Sequence, residues 1–109
     1  MLKTLLLVYR ILKWHKKTFP EYTICQQEEK LFVEAREAFD ALEDITKAKS
    51  KHRQEICAKH IQEEIADMII AGINLLRFKE SRQDVIAKMN INEKRNWKNG
   101  QHMENNNGR

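Results

Sequence analysis

Residues 60–78 read HIQEEIADMIIAGINLLRF, from His60 to Phe78, and this stretch decides the fold. On a helix each residue turns by about 100°, so residues seven apart return to nearly the same face. Cys57, Glu64, Ala71 and Phe78 form one such row, with Ile61, Met68 and Leu75 in the row beside it. Glu64 therefore falls inside an apolar stripe, where a soluble helix normally carries Leu or Ile. Asp67 lies on the edge of the same stripe. A lone buried carboxylate costs several kcal/mol or takes up a proton, so a compensating partner is expected.

Working outward, the chain has 109 residues with three Gly and one Pro, too few punctuators for short strands and tight turns. The expected class is all-α. A first helix is predicted from Leu2 to about Lys17, with Leu2, Leu5, Leu6, Tyr9 and Leu12 packing on the body; it stops before Phe19-Pro20. A second starts at Thr23 as N-cap and runs to about Lys49, its stripe formed by Ile24, Leu31, Ala35, Ala38, Leu42 and Ile45 and widened by Phe32 and Phe39. A third runs from Ser50 to Lys79. A short fourth begins at Ser81, with Asp84 in a capping-box position, and reaches Met89. Residues 1–100 form a single helical domain on this reading, and the polar, Asn-rich residues 101–109 a disordered tail. The two longest helices, joined at Ala48 to Lys51, make a long antiparallel hairpin. Its apolar face is too broad for short helices to cover, so assembly into a four-helix-bundle-like oligomer, a homodimer or homotetramer, is expected.

Composition narrows the function classes. The net charge is +4, from 20 Lys and Arg against 16 Asp and Glu. Dispersed lysines of this kind are usually solvated surface, which argues against nucleic acid as the partner. The apolar run Leu5 to Tyr9 is far short of the roughly 20 residues of a membrane span and lacks a signal-peptide cleavage pattern. A cytoplasmic protein without a membrane segment is expected. Cys25 and Cys57 have no zinc-ligand spacing and read as small core residues of a reducing compartment. His15, His52, His60 and His102 form no pair at ligand spacing.

The carboxylates are patterned. Glu34 and Glu37 stand three apart in VEARE on the second helix, and Glu64 and Asp67 three apart in EIAD on the third. Residues at i and i+3 share a helix face. Folding the hairpin about a turn near residue 50 brings Glu34 roughly level with Glu64 or Asp67, and the matched sums of 34 with 67 and of 37 with 64 are what an antiparallel hairpin requires. Glu34 would border the face that meets the third helix. Four converging carboxylates repel strongly in a dry site, and divalent cations remedy this. An all-oxygen donor set suits Mg²⁺, with Mn²⁺ as a substitute, rather than zinc. The blander account makes these residues solvated surface, with Lys30 pairing Glu34 at i, i+4. That account serves Glu37 best and Glu64 worst, because the row of Glu64 is apolar.

With these residues in hand, the sequence resembles the MazG-like, all-α nucleoside triphosphate pyrophosphohydrolases, which carry ExxE on one helix and ExxD on the next. Glu34-Ala-Arg-Glu37 and Glu64-Ile-Ala-Asp67 match, inside KLFVEAREAFDAL and EEIADMIIAGINLL. The family often has a second Glu directly before ExxE; this chain has Val33. The segment KMNINEKRNWKNG is similar to a family pattern of Lys, Asn and Arg followed by Trp-Lys and Gly, filled here by Lys88, Asn92 and Arg95. The likeness covers roughly residues 20 to 100. It implies Mg²⁺-dependent hydrolysis of a (deoxy)nucleoside triphosphate to the monophosphate and pyrophosphate, with nucleotide-pool cleaning as the role. Glu34, Glu37, Glu64 and Asp67 would hold the metal and form the catalytic set, one of them orienting the attacking water. Lys88 and Arg95 would contact phosphate, Asn92 base or sugar, and Trp97 a base or the core edge.

Two further classes compete. One is a non-catalytic helical oligomer of the same fold that binds nucleotide or a protein partner, a reading that Val33 favours. The other is a small basic helical module for nucleic acid, which Glu64 in the helix seam opposes. Base and sugar preference, and standard against damaged nucleotides, stay open at this level.

Overall fold

The computed structural model describes residues 1–95. Trp97, Lys98, Gly100, His102 and the tail expected to be disordered lie outside them. The described residues form four helices and no strand: α1 Leu2–Thr18, α2 Ile24–Lys47, α3 Lys51–Leu75 and α4 Lys79–Lys94. The all-α expectation holds. Contacts divide the chain into a unit Met1–Phe78 and a second that begins at Lys79.

Local chemistry sets the ends of the long helices. Thr23 caps α2, accepting a hydrogen bond from Gln26 N–H, while the Gln26 side chain accepts from Thr23 N–H at 2.8 Å. Ser50 caps α3 by accepting from Arg53 N–H at 3.0 Å. Each such cap stabilises a helix by about 1 kcal/mol. Between them, Gln54 Nε2 donates to Ala48 O at 3.3 Å and braces the short connection. α3 ends at Leu75, four residues before the expected Lys79. There Leu76, Arg77 and Phe78 N–H bond to the carbonyls three residues back, which tightens the last turn. α4 begins two residues before Ser81 and runs five past Met89. Asn90 and Asn92 only weaken a helix, by roughly 0.7 kcal/mol each, and do not end it. None of its residues is buried.

In the first unit, α2 packs along α3 and α1 meets α3. Gln27 near the start of α2 bonds Ala71 near the end of α3, and Glu34 and Glu37 meet Glu64. The two helices therefore run in opposite directions. The buried row on α2 is Gln27, Glu34 and Ala41, and α3 answers with Cys57, Ala71 and Asn74. This row lies beside the stripe read from the apolar residues. Leu42, expected inside, is exposed, as are Phe32 at 72% and Phe39 at 69%. Cys25 is exposed too, in contrast to Cys57. Leu2, Leu5, Leu6 and Tyr9 of α1 remain exposed as well, because α1 buries its far end through His15.

His15 is the hub of a directed hydrogen-bond chain. Arg77 Nη1–H donates to His15 Nδ1 at 3.1 Å, and a guanidinium has only donors to give. The imidazole is thus neutral with its proton on Nε2, which donates to Gln27 Oε1 at 2.8 Å. Gln27 Nε2 in turn donates to Ala71 O at 2.9 Å. Arg77 also holds the carbonyls of Phe19 and Pro20, each at 2.7 Å. One polar chain so ties α1, the turn after it, α2 and the end of α3.

Candidate metal centre

The antiparallel packing brings three carboxylates to one point. Glu34, Glu37 and Glu64 each offer an oxygen, and the three oxygens lie within 4.8 Å of one another. Glu34 is the most buried, its side chain 8% exposed, so it occupies the centre of the helix face rather than its border. Its Oε1 accepts from Lys30 Nζ at 2.7 Å, and its Oε2 is buried without a partner among the described residues. Glu64 is in the same position. Its Oε2 is buried and has no partner among the described residues, and its Oε1 stands 3.6 Å from His60 Nε2, too far for a hydrogen bond.

The electrostatics express the crowding. The charge of Glu34 pushes the Glu37 carboxyl above its ordinary range, helped by lost hydration and then by Glu64. The hydrogen bond to Glu34 holds Lys30 above the usual ammonium range. Orphaned buried oxygens cost free energy until something positive meets them. Three converging carboxylates with unused lone pairs fit a hard divalent cation that keeps some of its own waters. The donor set therefore fits Mg²⁺ or Mn²⁺.

Asp67 is not in this group. It is exposed on α3, three residues beyond Glu64, and borders a cleft of about 900 Å³ together with Glu34. α1, α2 and α3 form this cleft. Its walls carry Trp14, Phe19 and Tyr22, its rim Arg10 and Lys30, and its buried floor Gln27, Asn74 and His15. The sequence reading gave no role to these three polar residues. On α2 the heptad row Gln27, Glu34, Ala41 carries two polar residues, so hydrophobic periodicity does not mark it as the buried one. Lys88 and Asn92 on α4, and Arg95 just beyond it, belong to the second unit; Lys88 is exposed, and Asn92 and Arg95 are part-buried and engaged. No helix of the described residues is long and apolar enough to cross a membrane.

Compared with known proteins, the chain matches no protein-family model, no curated protein and no solved structure.

Proposed function

We propose that the protein is a Mg²⁺-dependent pyrophosphohydrolase of (deoxy)nucleoside triphosphates, releasing the monophosphate and pyrophosphate. One observation carries the reading: three carboxylates from two helices meet within 4.8 Å, two of their oxygens are buried without a partner among the described residues, and one of the three, Glu34, also lines an open cleft. Glu34, Glu37 and Glu64 hold the cation, and Asp67, on the cleft side, completes the set once substrate is present. A bound divalent ion supplies positive charge against phosphate oxygens and eases deprotonation of water. One of the carboxylates orients the attacking water as general base. Lys30 balances the charge of Glu34 before the cation arrives and then faces phosphate from the cleft rim, as does Arg10. The resemblance to MazG-like enzymes supports the same chemistry and is the sole support for Lys88, Asn92 and Arg95 as substrate contacts.

A homodimer or homotetramer is part of this reading. The exposed Phe32 and Phe39, seven residues apart on α2, support it, since an exposed aromatic row at helical spacing is a natural seam between copies.

The test is pyrophosphate release from a panel of ribo- and deoxyribonucleoside triphosphates, with Mg²⁺ or with EDTA, for wild type and Glu64→Gln. Metal-dependent release that disappears in the variant is expected. Metal binding without release from any nucleotide would leave the non-catalytic nucleotide-binding oligomer standing instead.

A further inference from the structure

Away from the carboxylates, the cleft has a different character. Along α2, Gln27 precedes Glu34 by seven residues, and along α3, Asn74 follows Asp67 by seven. At about 1.5 Å per residue this sets the two levels roughly 10 Å apart. A nucleotide spans a distance of that order from its base edge to its α-phosphorus. The far level is walled by Tyr22, Phe19 and Ile73 and floored by Gln27, His15 and Asn74. Gln27 has spent both ends of its amide, and His15 both ring nitrogens. Asn74 has not. It is 1% exposed, yet its Oδ1 has no hydrogen-bond partner among the described residues.

We propose that this end of the cleft holds the nucleobase, with Asn74 Oδ1 accepting a hydrogen bond from a base N–H. The inference rests on the nucleotide reading above and deepens it. A flat heterocycle that carries an N–H matches both halves of the environment: aromatic and aliphatic walls for its faces, an unused acceptor for its edge. A phosphate matches less well, because the guanidinium that reaches His15, that of Arg77, also donates to the Phe19 and Pro20 carbonyls, while Arg10 and Lys30 stand at the cleft rim. A purely apolar ligand does not match either, since it would leave the Asn74 oxygen unpaired. Base selection thus falls to a residue a full nucleoside away from the metal.

The test is calorimetric binding of nucleoside monophosphates in the presence of Mn²⁺, so its outcome is independent of turnover. Parent bases are compared with analogues whose base N–H groups are all methylated, on wild type and on Asn74→Leu. Wild type should bind at least one parent ten-fold or more tighter than its methylated analogue, and Asn74→Leu should lose that preference while keeping its Mn²⁺ affinity. Equal binding of parent and methylated bases by wild type would overturn the proposal, and needs no folded variant. Retention of the preference in Asn74→Leu would overturn it too. Failure of pyrophosphate release with the base preference intact would sink the enzymatic reading and leave the base site.

Discussion

Lys30 Nζ lies 2.7 Å from Glu34 Oε1, one helical turn back along α2, with the lysine half exposed and the glutamate buried. The asymmetry decides what the pair does. A surface lysine gains little from such a pair, but the buried glutamate loses the cation that meets its Oε1 if the lysine is removed. Lys30→Met should therefore destabilise the protein by about 1–3 kcal/mol in EDTA. Mn²⁺ should restore more stability in the variant than in wild type, because the ion takes over the missing charge. Thermal melts with and without metal measure both. Unchanged melting in EDTA would show the pair to be surface decoration.

Glu64→Gln keeps the shape of the side chain and removes one of three converging charges. Mn²⁺ affinity by titration calorimetry should fall more than ten-fold, about 1.4 kcal/mol or more. The metal-free variant should be at least as stable as wild type, since repulsion has been relieved. Loss of stability together with unchanged metal affinity would assign Glu64 to the fold alone.

His15 gives the pH dependence. Burial holds its imidazole below the ordinary value of 6.5, opposed by the hydrogen bond to Gln27 and reinforced by the Arg77 charge. The unfolded chain then takes up the proton at a higher pH than the folded one. The stability from neutral His15 is complete above 6.5 and drains away as pH falls through 6.5 towards the lower folded value. Urea melts from about pH 7.5 to about pH 5 should show this loss, and His15→Phe should flatten it. An equally steep profile in His15→Phe would assign the acid sensitivity to the carboxylates.

Gln27→Leu removes the amide between His15 and Ala71. It leaves a buried N–H and a buried carbonyl short of partners, at a cost of about 2–4 kcal/mol in denaturant stability. Hydrogen exchange should accelerate in α1 more than in α2. Uniform acceleration across all three helices would mean that α1 does not detach separately.

Self-association is readable by sedimentation. If the chain self-associates as proposed, Phe32→Asp combined with Phe39→Asp should shift it to monomer, because each change puts a charge into a seam that aromatic burial would otherwise stabilise. A monomeric wild type would remove the oligomer from the functional reading.

How much of this was legible in the sequence depended on the residue type. The helices followed from spacing and from the caps Thr23 and Ser50, because those are local physics. The carboxylate convergence followed from two ExxE/D pairs on antiparallel helices. The precise buried face of α2 did not follow. A reading that weights apolar residues selects Leu31, Ala35, Ala38 and Leu42, whereas packing selected Gln27, Glu34 and Ala41. Gln27 and Glu34 are tolerated inside because each finds a specific partner, Ala71 O and His15 for one, Lys30 for the other. The Lys30–Glu34 pair was legible at i, i+4 spacing, but the partners of Gln27 lie on other helices, and periodicity within one helix cannot reveal them. Asp67 failed to join the cluster for a similar reason: sharing a helix face with Glu64 fixes its direction only coarsely.

The chain Arg77–His15–Gln27–Ala71 also bears on assembly order. Its links join residues 12, 44 and 62 positions apart, whereas α2 and α3 are joined by a three-residue connection, 48–50. Closing a short loop loses less chain entropy than closing a long one. The α2–α3 pair should therefore form first and present Gln27 and Ala71 as a template, with α1 docking as a late clasp. Substitutions at His15 should then mainly speed unfolding and leave the refolding rate nearly untouched, a distinction that stopped-flow chevrons resolve. The helix that closes the cleft would be the last to arrive and the first to leave.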